Sequence, residues 1–380
     1  ELWNTLTGEK QELESQIRKG KTEIRTELNA QDSLLLRMVP DSADGSTKSG
    51  ERPALEEKRE ICKNRHPRVT LKRDEPNVLV LDKASWQIEG RDAAPEEEIL
   101  RLDNEIRDIL GYPRRKAAYA QPWVQKEEEI RSIPVTLTYE IFSETEISDI
   151  WLAMEGLAGV QLFLNGKPVE KKLEGCYVDP AIPKTVLGTL KQGANILRMV
   201  IPFTAKTNLE ACYILGTFSV RVQGDQAVLA PWREEGWYGS LTEQGMPFYG
   251  GNAVYEESLE LEKGLYEVQV SKFRAPVLEV ELDGKHAGMI AFAPYTCRLK
   301  IEKSGVHTFG IRAFGSRVNT FGAIHDCDEQ EVYFDPNAWR TEEDSWSYEY
   351  QLKKTGILKR PVLWKIEAAG WEDREGEGLK

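Results

Sequence analysis

Apolar and polar positions alternate with period two along much of the chain, and twice the alternation runs into the same kind of turn. Residues 160–164 (Val-Gln-Leu-Phe-Leu) lead into Asn165-Gly166, and residues 278–282 (Leu-Glu-Val-Glu-Leu) lead into Asp283-Gly284. Asn-Gly and Asp-Gly tolerate the positive φ of a type I′ turn, so each passage predicts a β-hairpin. Each hairpin is followed by a strand led by a glycine, Gly193 in the first copy and Gly305 in the second. The intervening loops differ in length, which closure entropy tolerates readily. The shared order predicts two related β modules.

Other runs extend the series. Residues 22–28 and 32–38 read as strands within an opening segment, and 78–82 and 86–88 as a further pair. A helix is predicted over about 95–110, with Pro95 in its first turn and Glu96 to Glu98 at the positive end of its dipole. Ile99, Leu102, Ile106 and Ile109 make its apolar stripe, and Gly111 and Pro113 stop it. From about 133 the pattern returns to strands, and residues 253–259 are the counterpart of 137–141. Trp339, Trp346, Tyr348, Tyr350, Leu352 and Trp364 predict a further strand or two near the end. The fold class is therefore mainly all-β: two related jelly-roll sandwiches, an N-terminal partial sandwich and one short helix. The expected division is 1–40 as strands completing a preceding sandwich, 41–75 as linker or loop, and 76–225 as the first full sandwich with its helical insertion. Residues 226–366 form the second sandwich and 367–380 a charged tail.

Length and charge narrow the function classes. At 380 residues the chain exceeds one ordinary core. Its 63 acidic against 50 basic residues give a net charge of -13, which disfavours a nucleic-acid partner and suits a neutral or cationic one. The basic stretch Lys58, Arg59, Lys63, Arg65, Arg68, Lys72 and Arg73 reads as a solvated loop. No apolar run is long enough to cross a bilayer as a helix. Cys62, Cys176, Cys212, Cys297 and Cys327 are odd in number and contain no C-x-x-C pair, which favours reduced thiols and a cytoplasmic setting. The chain shows no signal peptide and opens on Glu1-Leu-Trp as though inside a folded element.

Several phrases carry a family resemblance. Leu2-Trp3-Asn4-x-x-Thr7-Gly8-Glu9 resembles the segment that follows the catalytic barrel in large bacterial glycoside hydrolases related to families 2 and 106. Residues 77–82, Gln121-Pro-Trp123, Val178-Asp179 and Asn208-Leu-Glu210-x-x-Tyr213-x-x-Gly216-x-Phe218 are similar to further parts of those proteins. Pro247-Phe-Tyr-Gly-Gly251 and Asn319-Thr-Phe-Gly322-x-x-His325 resemble their C-terminal sandwiches of the galactose-binding type. The resemblance implies two galactose-binding-like sandwiches in the C-terminal, non-catalytic region of such an enzyme, with the catalytic carboxylates upstream. It implies as partner either carbohydrate or the enzyme's own catalytic domain, with neither nucleic acid nor membrane. Two alternatives stand beside it: a free-standing carbohydrate-binding protein, and a complete glycosidase with its active site between the sandwiches.

Candidate chemistry is sparse. Glycosidases pair two carboxyl groups, but Glu127 to Glu129, Glu256-Glu257 and Glu342 to Asp344 read as solvated acidic runs, so no catalytic residue is assigned. His325-Asp326-Cys327-Asp328 is dense in donors, yet no second cluster has zinc spacing, so no metal residue and no cofactor are assigned. Galactose-binding-type sandwiches often hold a structural calcium, and its ligands here are unassigned. Trp232, Trp237, Tyr238 and Tyr249, interleaved with glycines, are carbohydrate-binding candidates because aromatic faces stack on sugars. A seam joining the two modules is the competing reading. Arg317, Asn319 and His325 are polar candidates at a loop end, against a structural role fixing a turn. No nucleophile elbow or phosphate loop is present.

Overall fold

The computed structural model describes residues 1–5, 8–13, 15–24, 26, 28, 33–38, 57–61, 64, 67–115, 132–328 and 338–367. Cys62, Lys63, Arg65, His66, Gln121-Pro-Trp123, Glu127 to Glu129 and the tail from 368 lie outside the described residues. The chain forms two compact units. One, bearing the helix, takes Arg73–Asn252 and Gly315–Gly356; the second takes Glu1–Lys72, Ala253–Phe314 and Ile357–Lys380. The fold is mainly β, as the alternation predicts, with one α-helix among the described residues. No helix there is long and apolar enough to cross a membrane.

The helix-bearing unit is a sandwich. Its first sheet runs Ala94–Glu98, Lys83–Ile88, Ile133–Ser143, Gly193–Phe203, Gln161–Leu164 and Lys167–Pro168, with Gln226–Ala230 and Ser219–Gln223 added beside Ile133–Ser143. Its second runs Leu173–Tyr177, Asp179–Leu190, Ile147–Ala153, Cys212–Gly216 and Asn77–Leu81. Leu137, Tyr139, Leu197 and Met199 from the first sheet share one core with Val78, Ile150, Leu152 and Ile214 from the second. The Tyr139 hydroxyl lies 3.8 Å from Cys212 Sγ across the layer. Each fully buried aliphatic side chain contributes about 1.5–3 kcal/mol to this core.

The second unit contains a five-strand array, Arg68–Arg73, Ala253–Leu261, Gly305–Ala313, Leu278–Leu282 and Lys285–Ile290. A separate sheet orders Thr296–Ile301, Gly264–Gln269, Val362–Glu367 and Glu57–Glu60. Within 41–75, therefore, Glu57–Glu60 and Arg68–Arg73 are strands. Trp364 lies on a strand; Trp339 sits in a 3-10 turn, and Trp346 makes only an isolated bridge with Asp326.

Both predicted hairpins form, and they match in detail. Asn165 and Gly166 have φ of 50° and 77°, and Asp283 and Gly284 have 51° and 71°. Asn165 N–H donates to Ile196 O at 2.8 Å while its Oδ1 accepts from Ile196 N–H at 2.9 Å. Asp283 makes the same two bonds with Thr308, at 2.8 and 2.9 Å. In each copy the partner lies three residues after the leading glycine, so the turn side chain fixes the register of the returning strand. Gly166→Ala and Gly284→Ala meet no atom within 4 Å, so only the backbone resists them. Each is expected to cost about 1 kcal/mol, measured by urea unfolding.

The helix starts later than the Pro95 start signal suggests, at the first residue of its apolar stripe. Residues 94–98 are a strand, so Pro95 precedes the helix, which spans Ile99–Leu110. Glu98 is the N-cap: its Oε2 accepts from the backbone N–H groups of Leu100 and Arg101, both at 3.1 Å. Gly111 closes the far end at φ 73°. Ile99, Leu102 and Ile106 face inward together with Asp103 and Arg107, whereas Ile109 is exposed.

Candidate functional site

The helix-bearing unit holds a cavity of about 650 Å³. It opens where the apolar strand Asn77–Leu81 ends and the helix begins, joined by the Ile99 N–H bond to Asp82 O at 2.8 Å. Asp82, Glu98 and His325 line it and are all buried.

His325 Nδ1 lies 2.7 Å from Ser347 O and Nε2 lies 2.8 Å from Asp82 Oδ2. A carbonyl and a carboxylate can only accept, so both ring nitrogens are placed to donate, the arrangement of an imidazolium. Burial alone would lower the His325 pKa. The Asp82 hydrogen bond and charge, with the Glu98 charge and the Ser347 carbonyl, outweigh it and raise the pKa above the ordinary value. Tyr350 donates to Asp82 Oδ1 at 2.9 Å, and the His325 ring stacks on Tyr350 and tilts against Trp346, with centroids 5.3 Å apart in both cases. Burial pushes the Glu98 carboxyl up to about 7; the Leu100 and Arg101 amides oppose this, the Asp82 charge adds to it and the His325 charge opposes it.

The walls carry aromatic faces and carboxylates. Tyr213 and Phe321 meet edge to face at 5.3 Å, and Trp339 Nε1 donates to Phe321 O at 3.2 Å. Asn208 Nδ2 bridges Glu155 Oε2 at 2.9 Å and Glu210 Oε1 at 2.7 Å. Asp179 Oδ1 accepts from Ala181 N–H at 2.7 Å, and its neighbour Val178 has φ 64°, a costly conformation for a β-branched residue. Arg115 and Arg340 complete the polar lining. Gly322 is required in the wall, because a Cβ there would collide with the Val318 carbonyl. The mixture can hold a ring-shaped, hydroxylated ligand: aromatic faces take its apolar side, and carboxylates and guanidinium groups take its hydroxyls.

Of the residues singled out in the sequence, His325 lines this cavity. The others lie elsewhere in the same unit. Trp232 is covered by the Arg73 guanidinium at 3.8 Å, Trp237 is 46% exposed, and Tyr238 is half-buried. Tyr249 is buried, its hydroxyl donating to Asn252 O at 2.8 Å. Arg317 binds Glu75 Oε1 at 2.6 Å and Tyr177 Oη at 3.2 Å, and lines a separate cavity of about 210 Å³. Asn319 is buried and pairs with the Lys353 backbone through bonds of 2.7 and 2.9 Å. Asp326 Oδ1 accepts from Asp328 N–H at 3.0 Å, and among the described residues no three His, Cys, Asp or Glu are grouped to hold a metal. In the second unit Glu256 is paired with Lys72 at 2.7 Å and Glu257 with Arg360 at 2.5 Å.

Asp82, Glu98, Glu155, Asp179, Glu210, Trp339 and Trp346 line the same cavity as His325, and no local motif marks them as site residues in the sequence. A signal was present: Asp82, Asp179, Glu210, Tyr213, Phe321 and His325 all belong to phrases that carry the family resemblance, and all line one cavity.

No protein-family model matches the chain, and no curated protein is similar to it in sequence. Among solved structures, a rhamnosidase from Novosphingobium sp. PP1Y matches at 15% identity and a TM-score of 0.25, over 62% of this chain and 23% of that one. A GH2 β-galacturonidase from Eisenbergiella tayi matches at 13% identity and 0.24, over 63% and 37%. A β-D-mannosidase from Dictyoglomus thermophilum matches at 12% and 0.22, over 63% and 31%. The aligned part thus spans between 23% and 37% of the length of these glycoside hydrolases.

Proposed function

We propose that this chain is an accessory, carbohydrate-binding β-sandwich region of a glycoside hydrolase, and that the cavity at Asp82, Glu98 and His325 is its sugar site. The observation that supports this reading is the cavity itself, of about 650 Å³, combining Tyr213, Phe321, Trp339 and Trp346 with carboxylates and arginines.

Titration of the purified chain with a glycan panel tests this. Saturable binding is expected, weakened at least about tenfold by Trp339→Ala and unchanged by Trp237→Ala. The reverse pattern would move the site to exposed Trp237. Absence of binding to every glycan, or turnover of aryl-glycosides by the chain, would overturn the reading.

A further inference from the structure

We propose that the cavity selects an acidic sugar, a uronate unit held by Arg115 and Arg340, over its neutral and cationic counterparts. The proposal rests on the reading of this cavity as a sugar site and deepens it.

Both guanidinium groups line the cavity, and among the described residues neither donates a hydrogen bond. Arg340 has no carboxylate within 4.0 Å among those residues, and its Nη1 is buried without a partner. Arg115 comes no nearer to a carboxylate than 4.0 Å, at Glu210 Oε1, an oxygen that already accepts from the Asn208 amide at 2.7 Å. The two cations are also neighbours. Burial lowers the Arg340 pKa, and the Arg115 charge lowers it further, against the individually weaker pull of Asp103, Glu98 and Glu210. Asp103 is itself held by Arg107 at 2.7 Å, and Glu98 Oε2 by two N–H groups of the helix. Of the other carboxylates in the lining, Asp82 is matched by His325 at 2.8 Å, Glu155 accepts from Asn208, and Asp179 is exposed.

Two adjacent guanidinium groups that the protein leaves without acceptors are placed for an anion. A planar guanidinium meets a carboxylate through two parallel N–H bonds, stronger than any single bond to a hydroxyl. A carboxylate between the two groups would also relieve their mutual repulsion. A neutral hexose would leave that repulsion in place, and a hexosamine would add a third positive charge to it. The net charge of -13 on the whole chain opposes an anion only at long range, and salt at physiological strength screens it beyond about 8 Å.

Calorimetric titration of the full chain with D-glucuronate, D-galacturonate, D-glucose, D-galactose, D-glucosamine and acetate tests the proposal. The better uronate is expected to bind about tenfold more tightly than its neutral hexose. Acetate, which brings the carboxylate without the ring, is expected to bind more weakly than that uronate. Arg115→Gln and Arg340→Gln together are expected to bring uronate and hexose level. Because the protein does not compensate the Arg340 charge, Arg340→Gln without ligand is expected to unfold at a urea concentration no lower than the wild type needs. Hexose, hexosamine or acetate binding as tightly as the uronate would overturn the inference while leaving the sugar site standing. So would a preference that survives the double substitution, or a clear loss of stability in Arg340→Gln. If none of these sugars nor any member of the glycan panel binds, both readings fall.

Discussion

Arg107→Met is expected to destabilise the helix-bearing unit by about 3–5 kcal/mol, the usual cost of breaking a buried ion pair from one side. Arg107 and Asp103 are fully buried, one helical turn apart, with Nε to Oδ2 at 2.7 Å. The guanidinium also donates to Ala205 O at 3.0 Å and Thr207 O at 2.6 Å. It therefore anchors the helix to the loop that follows strand Gly193–Phe203. Methionine fills much of the volume but removes the donor to the Asp103 carboxylate and to three carbonyls, those of Ala205, Thr207 and, at 3.4 Å, Pro113. Arg107→Lys should recover only part of the loss, since one ammonium cannot reach all the sites that a planar fork serves. Burial raises the Asp103 pKa, and the Arg107 hydrogen bond and charge oppose that rise. Removing Arg107 frees the pKa to climb further, so the variant's deficit should narrow as the pH falls and Asp103 takes up a proton. Urea unfolding at several pH values measures this; a deficit under about 1 kcal/mol, or one that widens in acid, would refute the account.

The elements that could be read from the sequence are those fixed by short-range chemistry. Asn165-Gly166 and Asp283-Gly284 dictate their own φ values, and the alternation of Gly193–Phe203 survives as an alternation of burial. The exception is Asn195, apolar-facing yet polar. It earns its buried place by bonding Lys191 N and O and the Asn165 side chain, a contact between residues thirty positions apart that no periodicity reveals. The helix start was displaced for a similar reason. Pro95 suits a first turn, but residues 94–98 pair with Lys83–Ile88, and strand pairing overrides the local signal. The cavity was harder to read. Its lining comes from short pieces between Val80 and Trp346, each a strand end or loop whose polar residue looks ordinary alone. The segment from Trp232 to Tyr249 is rich in aromatic residues, yet Tyr249 is committed to backbone bonds and Trp232 to Arg73. Composition reports which side chains are present; the cavity depends on which strand ends converge.

Glu98→Gln is expected to raise stability at pH 8 by up to about 3 kcal/mol and to change little at pH 4. The sign follows from where the proton sits. Glu98 has a folded pKa of about 7 against an ordinary 4.5, chiefly through burial. Between those values the folded chain holds a proton that the unfolded chain has released. The stabilisation from the protonated form is therefore complete below pH 4.5 and is lost as the pH rises through 7. Glutamine removes the titration yet still offers an oxygen to the Leu100 and Arg101 amides, so the helix keeps its cap. His325 contributes in the same direction, because its raised pKa gives stability that fades as the pH climbs past that of a free imidazole. Both proteins should thus lose stability toward alkaline pH, the wild type more steeply. Parallel profiles between pH 4 and 8 would show that the Glu98 carboxyl does not feel its burial. A steeper wild-type profile would mean that the chain sacrifices stability near neutral pH to keep an ionisable acid at the wall of its cavity, a cost better explained by a ligand than by the helix cap alone.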